Sequence, residues 1–238
     1  MSRSGAAVLL AALLGGCSSL SPNDAGVSSL EVRPPLCGGI EVGSTIDLLA
    51  RTFDEAGDSV EAPVWWRTPD VTVLEVDSAA GRATGLLVSD TARVQAVVGT
   101  TDPLISDLVP LVVTPRADTL ARSSSAQVAV EPNVISSEGL LVTLTHKAPF
   151  APVKAFSVDY RVVEPVFTAF DERTVEFPGA RLALTACSGA AGTASTTLRR
   201  RANTTQPDSA IVEVTAQHAD GTPVPGSGWR FTVVFKKP

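Results

Sequence analysis

Histidine, tyrosine and cysteine are scarce: the 238 residues contain two, one and three of them. Catalysis needs convergent titratable groups, and this chain has few to converge. It has no HExxH, no G-x-S-x-G, no Walker sequence and no G-x-G-x-x-G after a strand, which removes the common metalloprotease, hydrolase and nucleotide-binding signatures. Cations are also in the minority. With 19 Lys and Arg against 25 Asp and Glu, the net charge is −6 and the pI near 5.0. That balance argues against nucleic acid as a partner, because phosphate neutralisation draws on clustered Lys and Arg. No apolar run reaches the roughly twenty residues that a membrane-spanning helix requires.

What is present in quantity is β-branched. Val and Thr supply 31 and 23 residues, and Gly and Pro 18 and 17, a composition suited to pleated, half-buried strands separated by turns. From Ser28 onward, short alternating runs recur at turn-punctuated intervals, the pattern of a sandwich rather than of βαβ units. Ala92, Val94, Ala96 and Val98 form one apolar face against Arg93, Gln95 and Val97, and Ile46, Leu48 and Ala50 alternate before the turn at Asp54–Asp58. Leu104 to Val113 reads as the last strand of a first unit, and Thr114-Pro115-Arg116 as a short junction. Further strands are predicted around 126–131, 138–146, 154–164, 173–187, 193–201, 209–217 and 229–236, so the expected fold is all-β with two sandwiches. The expected divisions are 1–16, 17–27, 28–114 and 115–238.

The first segment has the features of a secretory signal. Arg3 precedes an apolar stretch from Ala6 to Leu14, followed by Gly15-Gly16. Leu14-Gly15-Gly16-Cys17 resembles the lipobox of bacterial lipoproteins, which implies cleavage after residue 16 and lipidation of Cys17. An ordinary signal followed by a chance cysteine is the alternative. Ser18 after the cysteine implies, by that family's pattern, delivery to the outer membrane of a cell that has one. Each buried methylene contributes about 0.8 kcal/mol, so several acyl chains would hold the protein stably at a membrane. The small polar residues that follow, up to Val27, suit a flexible tether.

Within the first unit, Val32-x-Pro34, Val42-Gly43-x-Thr45-x-x-Leu48-x-Ala50, Val64-x-Trp66-Arg67-Thr68-Pro69-Asp70, Val73-Leu74-Glu75-Val76-Asp77, Gly81-Arg82-x-Thr84-Gly85 and Ala92-x-Val94-x-Ala96 follow one another in order. Together they resemble the group 2 bacterial immunoglobulin-like domain of intimin- and invasin-type surface proteins. The resemblance implies that Trp66 is core and that Asp70 shapes a turn. In the second unit, Ile211-Val212-Glu213-Val214-Thr215-Ala216, Asp220-Gly221, Pro223-Val224-Pro225-Gly226 and Trp229-x-Phe231-x-Val233 are similar to the closing part of invasin-type repeats, over about the last fifty residues.

The remaining candidates are single residues and small clusters. Period-two geometry sends Trp65 to the face opposite Trp66, either exposed as a platform for a sugar ring or partner, or covered by a neighbouring strand or the second unit. Trp229 is the second aromatic considered for such a surface. Asp54, Glu55 and Asp58 are the best calcium candidates, against the plainer reading of a soluble turn. His146 and His218 each end a strand and are expected to be solvated rather than to act as bases, and no zinc set is supplied. Arg199-Arg200-Arg201 is expected to be a solvated edge that discourages strand pairing, the alternative being a basic stripe with Lys236 and Lys237 toward acidic lipid or polysaccharide.

Lipidation would consume Cys17 and leave Cys37 and Cys187 with one pairing open to them. A bond needs Cα atoms within about 7 Å, which is expected to require sandwiches lying side by side; two modules on a freer hinge are the alternative. The expected protein is a non-enzymatic cell-envelope lipoprotein needing no cofactor. It would act in adhesion, scaffolding or protein binding, with the membrane, envelope proteins or polysaccharide as partners. The alternative is a carbohydrate-binding lipoprotein.

Overall fold

The computed structural model describes residues 25–169, 173–201 and 207–237. The expected signal segment 1–16, Cys17 and most of the expected tether lie outside the described residues. Among those described, every regular element is a strand apart from one 3-10 turn at Leu36–Gly38.

The first sandwich contains β1 (Ser29–Arg33), β2 (Gly39–Glu41), β3 (Thr45–Asp47), β4 (Leu49–Phe53), β5 (Ser59–Val60), β6 (Val64–Arg67), β7 (Leu74–Asp77), β8 (Arg82–Gly85), β9 (Ser89–Val98), β10 (Leu104–Ile105) and β11 (Val109–Thr114). One layer joins β1-β4-β5 to β3-β8-β7; the other has β9 at its centre, flanked by β6 on one side and by β10 and β11 on the other, with β2 parallel to β11. The run around Leu48 is two strands rather than one. Leu48 is buried and donates its N–H to the Gly81 carbonyl, and at that point the chain exchanges β8 for β1 as its partner. Gly81 has φ +65, and a Cβ there would meet the Trp66 indole at 2.9 Å, so this turn is closed only to glycine. Trp66 is accordingly buried against Leu48, Leu74 and Ala83.

The second sandwich contains β12 (Thr119–Arg122), β13 (Gln127–Val130), β14 (Leu140–Lys147), β15 (Phe150–Pro152), β16 (Ser157–Glu164), β17 (Val175–Glu176), β18 (Ala183–Cys187), β19 (Thr193–Thr196), β20 (Arg199–Arg200), β21 (Ser209–Thr215) and β22 (Trp229–Phe235). The sheet β13-β22-β21-β16-β18 faces a layer in which β14 pairs with β12, β15 and β19. Alternation is regular here. Leu140, Val142 and Leu144, then Val158, Tyr160 and Val162, then Ala210, Val212 and Val214, and finally Phe231, Val233 and Phe235 all point inward. Tyr160 spans the two layers, donating its hydroxyl to the Ala194 carbonyl at 2.9 Å, and burial pushes its phenol above the ordinary tyrosine range.

Several sequence expectations need correction. Leu104 to Val113 is two strands, β10 and β11, both antiparallel to β9, and 193–201 is likewise two, β19 and β20. The stretch 173–187 is two strands, β17 and β18, separated by a turn that includes Ala180 at φ 58. Arg200 is not a solvated edge residue: its Nη2 donates to the carbonyls of Val130, Glu131 and Lys236, its Nη1 to that of Pro132, and the guanidinium lies 5.5 Å from the Phe235 ring centre. A planar five-donor group can satisfy several carbonyls at once, a use that strand alternation does not reveal. Both histidines need correction too: His218 belongs to the junction between the sandwiches, and His146 to a contact with Asp118.

Candidate functional site

The sandwiches meet by strand ends. In the first, β11 and β9 pair Val113 with Ser89, and β11 and β2 pair Thr114 with Glu41, so all three present their junction ends together. In the second, Ser157 pairs with Cys187 and Asp159 with Thr215, which places the start of β16 and the ends of β18 and β21 at one pole. Across this boundary Cys37 and Cys187 form a disulfide, with Cα atoms 5.3 Å apart and 150 residues of sequence between them. The bond therefore occurs in an end-on arrangement. A side-by-side packing is not required, because Cys37 lies beyond the end of β1 on the approach to β2, and Cys187 closes an edge strand.

A buried polar cluster accompanies the bond. Glu41 and His218 are 4% and 6% exposed, and the His218 Nδ1 lies 2.8 and 3.0 Å from the two carboxylate oxygens of Glu41. Glu41 Oε1 also accepts the Ala117 N–H at 2.7 Å. His218 was expected to be solvated at its strand end; the first sandwich instead covers it, and Phe156 presents a ring edge to it at 6.4 Å. Both partners of Glu41, His218 and the Ala117 N–H, lie across the boundary or in the linker, so its carboxyl is satisfied in this way only when the two units are docked. Lys154 and Asp90 add an ion pair at the rim.

Backbone approaches backbone at the same place. A Cβ on Gly39 would lie 2.1 Å from the Ala155 carbonyl oxygen, and Cys37 and Ala155 both adopt positive φ, 70 and 55. The linker residues Thr114 and Ala117 are buried, so Thr114-Pro115-Arg116 is packed rather than a loose connection.

Trp65 lies away from the junction, on the outward face of β6. It is 46% exposed, opposite Val97 on β9, which in turn faces Ile105 on β10. Beside it Arg67 donates Nε to Gln95 Oε1 at 2.9 Å, and Gln95 Nε2 donates to the Ser106 carbonyl at 2.7 Å. An indole face thus adjoins two planar polar side chains held in place. Trp229 is more committed to the fold. Its indole N–H donates to the Leu120 carbonyl at 3.0 Å, and the Arg122 guanidinium lies 4.8 Å from the ring centre.

The other sequence candidates have local roles. Asp54 Oδ1 accepts the N–H groups of Ala56 and Asp58, which makes the acidic loop an Asx-type turn. No group of three or more metal-ligating side chains occurs among the described residues. Asp70 accepts a bidentate contact from Arg93, at 2.9 and 3.0 Å, and this contact holds its carboxyl below the ordinary carboxylate range. His146 Nδ1 lies 2.8 Å from Asp118 and 3.0 Å from the Arg116 carbonyl, and its Nε2 lies 3.0 Å from the Ala148 carbonyl. It is therefore a bracing residue rather than a free strand-end group. The Glu41–His218 cluster and the Arg200 cradle escaped sequence reasoning because each joins residues more than thirty positions apart, with no local pattern to mark them.

No protein-family model matches the chain, and no curated protein matches it. Among solved structures, domains 4 and 5 of the S-layer protein SbsC align over 90% of this chain and 100% of their own, at 15% identity and a TM-score of 0.30. The D00-D0 domain of intimin aligns over 88% and 100%, at 15% identity and 0.33. The fibronectin(III)-like modules of Clostridium thermocellum CbhA align over 87% and 94%, at 16% identity and 0.31. The fold itself is defined by the strand pairing, which is all-β with two sandwiches.

Proposed function

We propose that the chain is a non-catalytic lipoprotein of the cell envelope, held through Cys17, whose paired sandwiches serve adhesion, scaffolding or protein binding. The observation that carries this reading is the position of the chain ends. Ser29 pairs with Phe53 at the pole of the first sandwich remote from the junction, and Phe235 pairs with Val130 at the remote pole of the second. A chain anchored before Ser29 would therefore hold the second sandwich outward, at a distance set by a docked junction. The resemblance of residues 28–113 to group 2 Ig-like modules of surface proteins supports the same reading, the lipobox resemblance supports the lipid, and Ser18 after the cysteine supports an outer-membrane location.

The test is the intact mass of the protein from the membrane fraction. The expected mass is that of residues 17–238 plus acyl groups; an unmodified chain overturns the lipid anchor.

Trp65 favours a second reading, in which the first sandwich binds polysaccharide by stacking a sugar ring on the exposed indole beside Arg67 and Gln95. On a glycan array Trp65→Ala is then expected to lose binding while Trp229→Ala retains it. Equal binding by wild type and Trp65→Ala removes this reading.

A further inference from the structure

The covalent path through the molecule differs from its sequence path. Residues 38–186 lie inside the loop closed by Cys37 and Cys187. That loop contains β2–β11 of the first sandwich and β12–β17 with most of β18 of the second. Outside it on the N-terminal side the described chain has one strand, β1, which runs from the outer pole, where Ser29 meets Phe53, toward the junction, where the 3-10 turn presents Cys37. Outside it on the C-terminal side lie β19–β22, ending at the opposite pole.

We propose that the chain is a load-bearing connector in which tension between the N-terminal anchor and whatever grips the second sandwich is shunted through Cys37–Cys187, so that it bypasses the enclosed part of the first sandwich. The proposal rests on the anchored reading above for the source of the load, and on covalent connectivity for its path. Pulled from its N-terminus, the chain transmits force along β1, which is already extended and contributes little further length. At Cys37 the force crosses to Cys187 and enters the second sandwich. The sheets β2-β11-β9-β6 and β3-β8-β7 then have no tension across them and cannot be drawn out while the bond is intact.

The docked junction places the shunt where it is needed. The close approach of Gly39 to Ala155 and the Glu41–His218 cluster hold the two cysteines together before any load arrives. Without the bond the same pull would pass through the thinner first core strand by strand. The 150-residue separation would then release about 500 Å of chain at 3.3–3.6 Å per residue.

The experiment is single-molecule extension of the full mature chain held at its two ends, recorded oxidised, then after reductant is added to the folded wild type, and in Cys187→Ser. Reducing the folded wild type covers the case in which the variant folds poorly. The oxidised chain is expected to reach a final length about 500 Å shorter than the reduced one, with no unfolding step assignable to the loop, and Cys187→Ser to match the reduced chain. Equal final lengths in all three, or release of the full loop from the oxidised chain, overturns the proposal. The intact-mass test is separate: a chain without lipid removes the envelope anchor and leaves the extension difference to decide the shunt.

Discussion

The two sandwiches share one central pattern, β2-β11-β9-β6 in the first and β13-β22-β21-β16 in the second, and differ in what holds them together. The second encloses a core of twenty-four buried residues that includes Phe156, Tyr160, Phe177, Phe231 and Phe235. The first encloses ten, several of them alanines, around one aromatic, Trp66. Hydrophobic stabilisation scales with the apolar area removed from water, at about 25 cal/mol per Å². By that measure the first sandwich is the weaker unit and the second can support it. The cross-links lie at their boundary, where each stabilises the weaker partner: a disulfide, a buried carboxylate–imidazole pair and a rim ion pair. Fold similarity within one chain therefore does not imply equal independence.

Breaking the bond is expected to expose that inequality most strongly. In the chain-entropy account a closed loop of this length contributes about 5 kcal/mol. Oxidised protein should unfold in urea as one transition, whereas reduced protein or Cys187→Ser should show two. The earlier transition should be visible in the fluorescence of Trp66, and the later one in far-ultraviolet dichroism from the second sandwich. A single unshifted transition after reduction would contradict the supporting role of the second unit.

Trp66→Ala tests the thin core directly. Removing a buried aromatic costs about 3–5 kcal/mol, enough to unfold a small unit of ordinary stability. In reduced protein, where two transitions are expected, Trp66→Ala should lose the first and retain the second, whereas Phe231→Ala should weaken both. His218→Ala addresses the boundary and should cost about 3 kcal/mol, since it leaves the buried Glu41 carboxylate without its ring partner. Gly39→Ala should reproduce that undocking through the clash with the Ala155 carbonyl and leave both cores intact. Proteolysis at Thr114–Ala117 measures undocking in both variants, and unchanged resistance to cleavage would show that neither residue holds the junction.

Much of this arrangement was legible in the residues and some of it was not, for definable reasons. Alternation identified β9, β14, β16, β21 and β22, because one buried face imposes period two. It failed at Leu48, within 173–187 and within 193–201, where the chain changes partner sheet without interrupting its apolar rhythm, and within Leu104–Val113, where β10 and β11 both pair with β9 but are separate strands. Thr119–Arg122 and Phe150–Pro152 were missed because short edge strands have too few positions to show a period. The junction was the least legible part. Whether Cys37 reaches Cys187, and what covers His218, depends on how two rigid bodies dock, and that is written in single residues such as Gly39 whose reason appears only when Ala155 lies against it.

The smallest expected effect concerns surface carboxylates, and it compares the sandwiches on equal terms. Asp70 in the first is held below the ordinary carboxylate range by its hydrogen bonds to Arg93, Asp118 in the second by the Lys147 N–H, and Asp220 by the Thr222 hydroxyl and N–H. A carboxyl whose folded value is depressed contributes stability at pH above its unfolded value and loses it as pH falls through the folded one. Stability should therefore decline on acidification from about pH 4 downward. Asp70→Asn should lower the urea midpoint of the first sandwich at about pH 6 and make no difference once the pH is low enough to protonate the carboxyl. All three groups face solvent, so the changes should be small and should shrink further with added salt. A difference between Asp70→Asn and wild type that persisted unchanged at the acid end would assign the effect to lost packing rather than to charge.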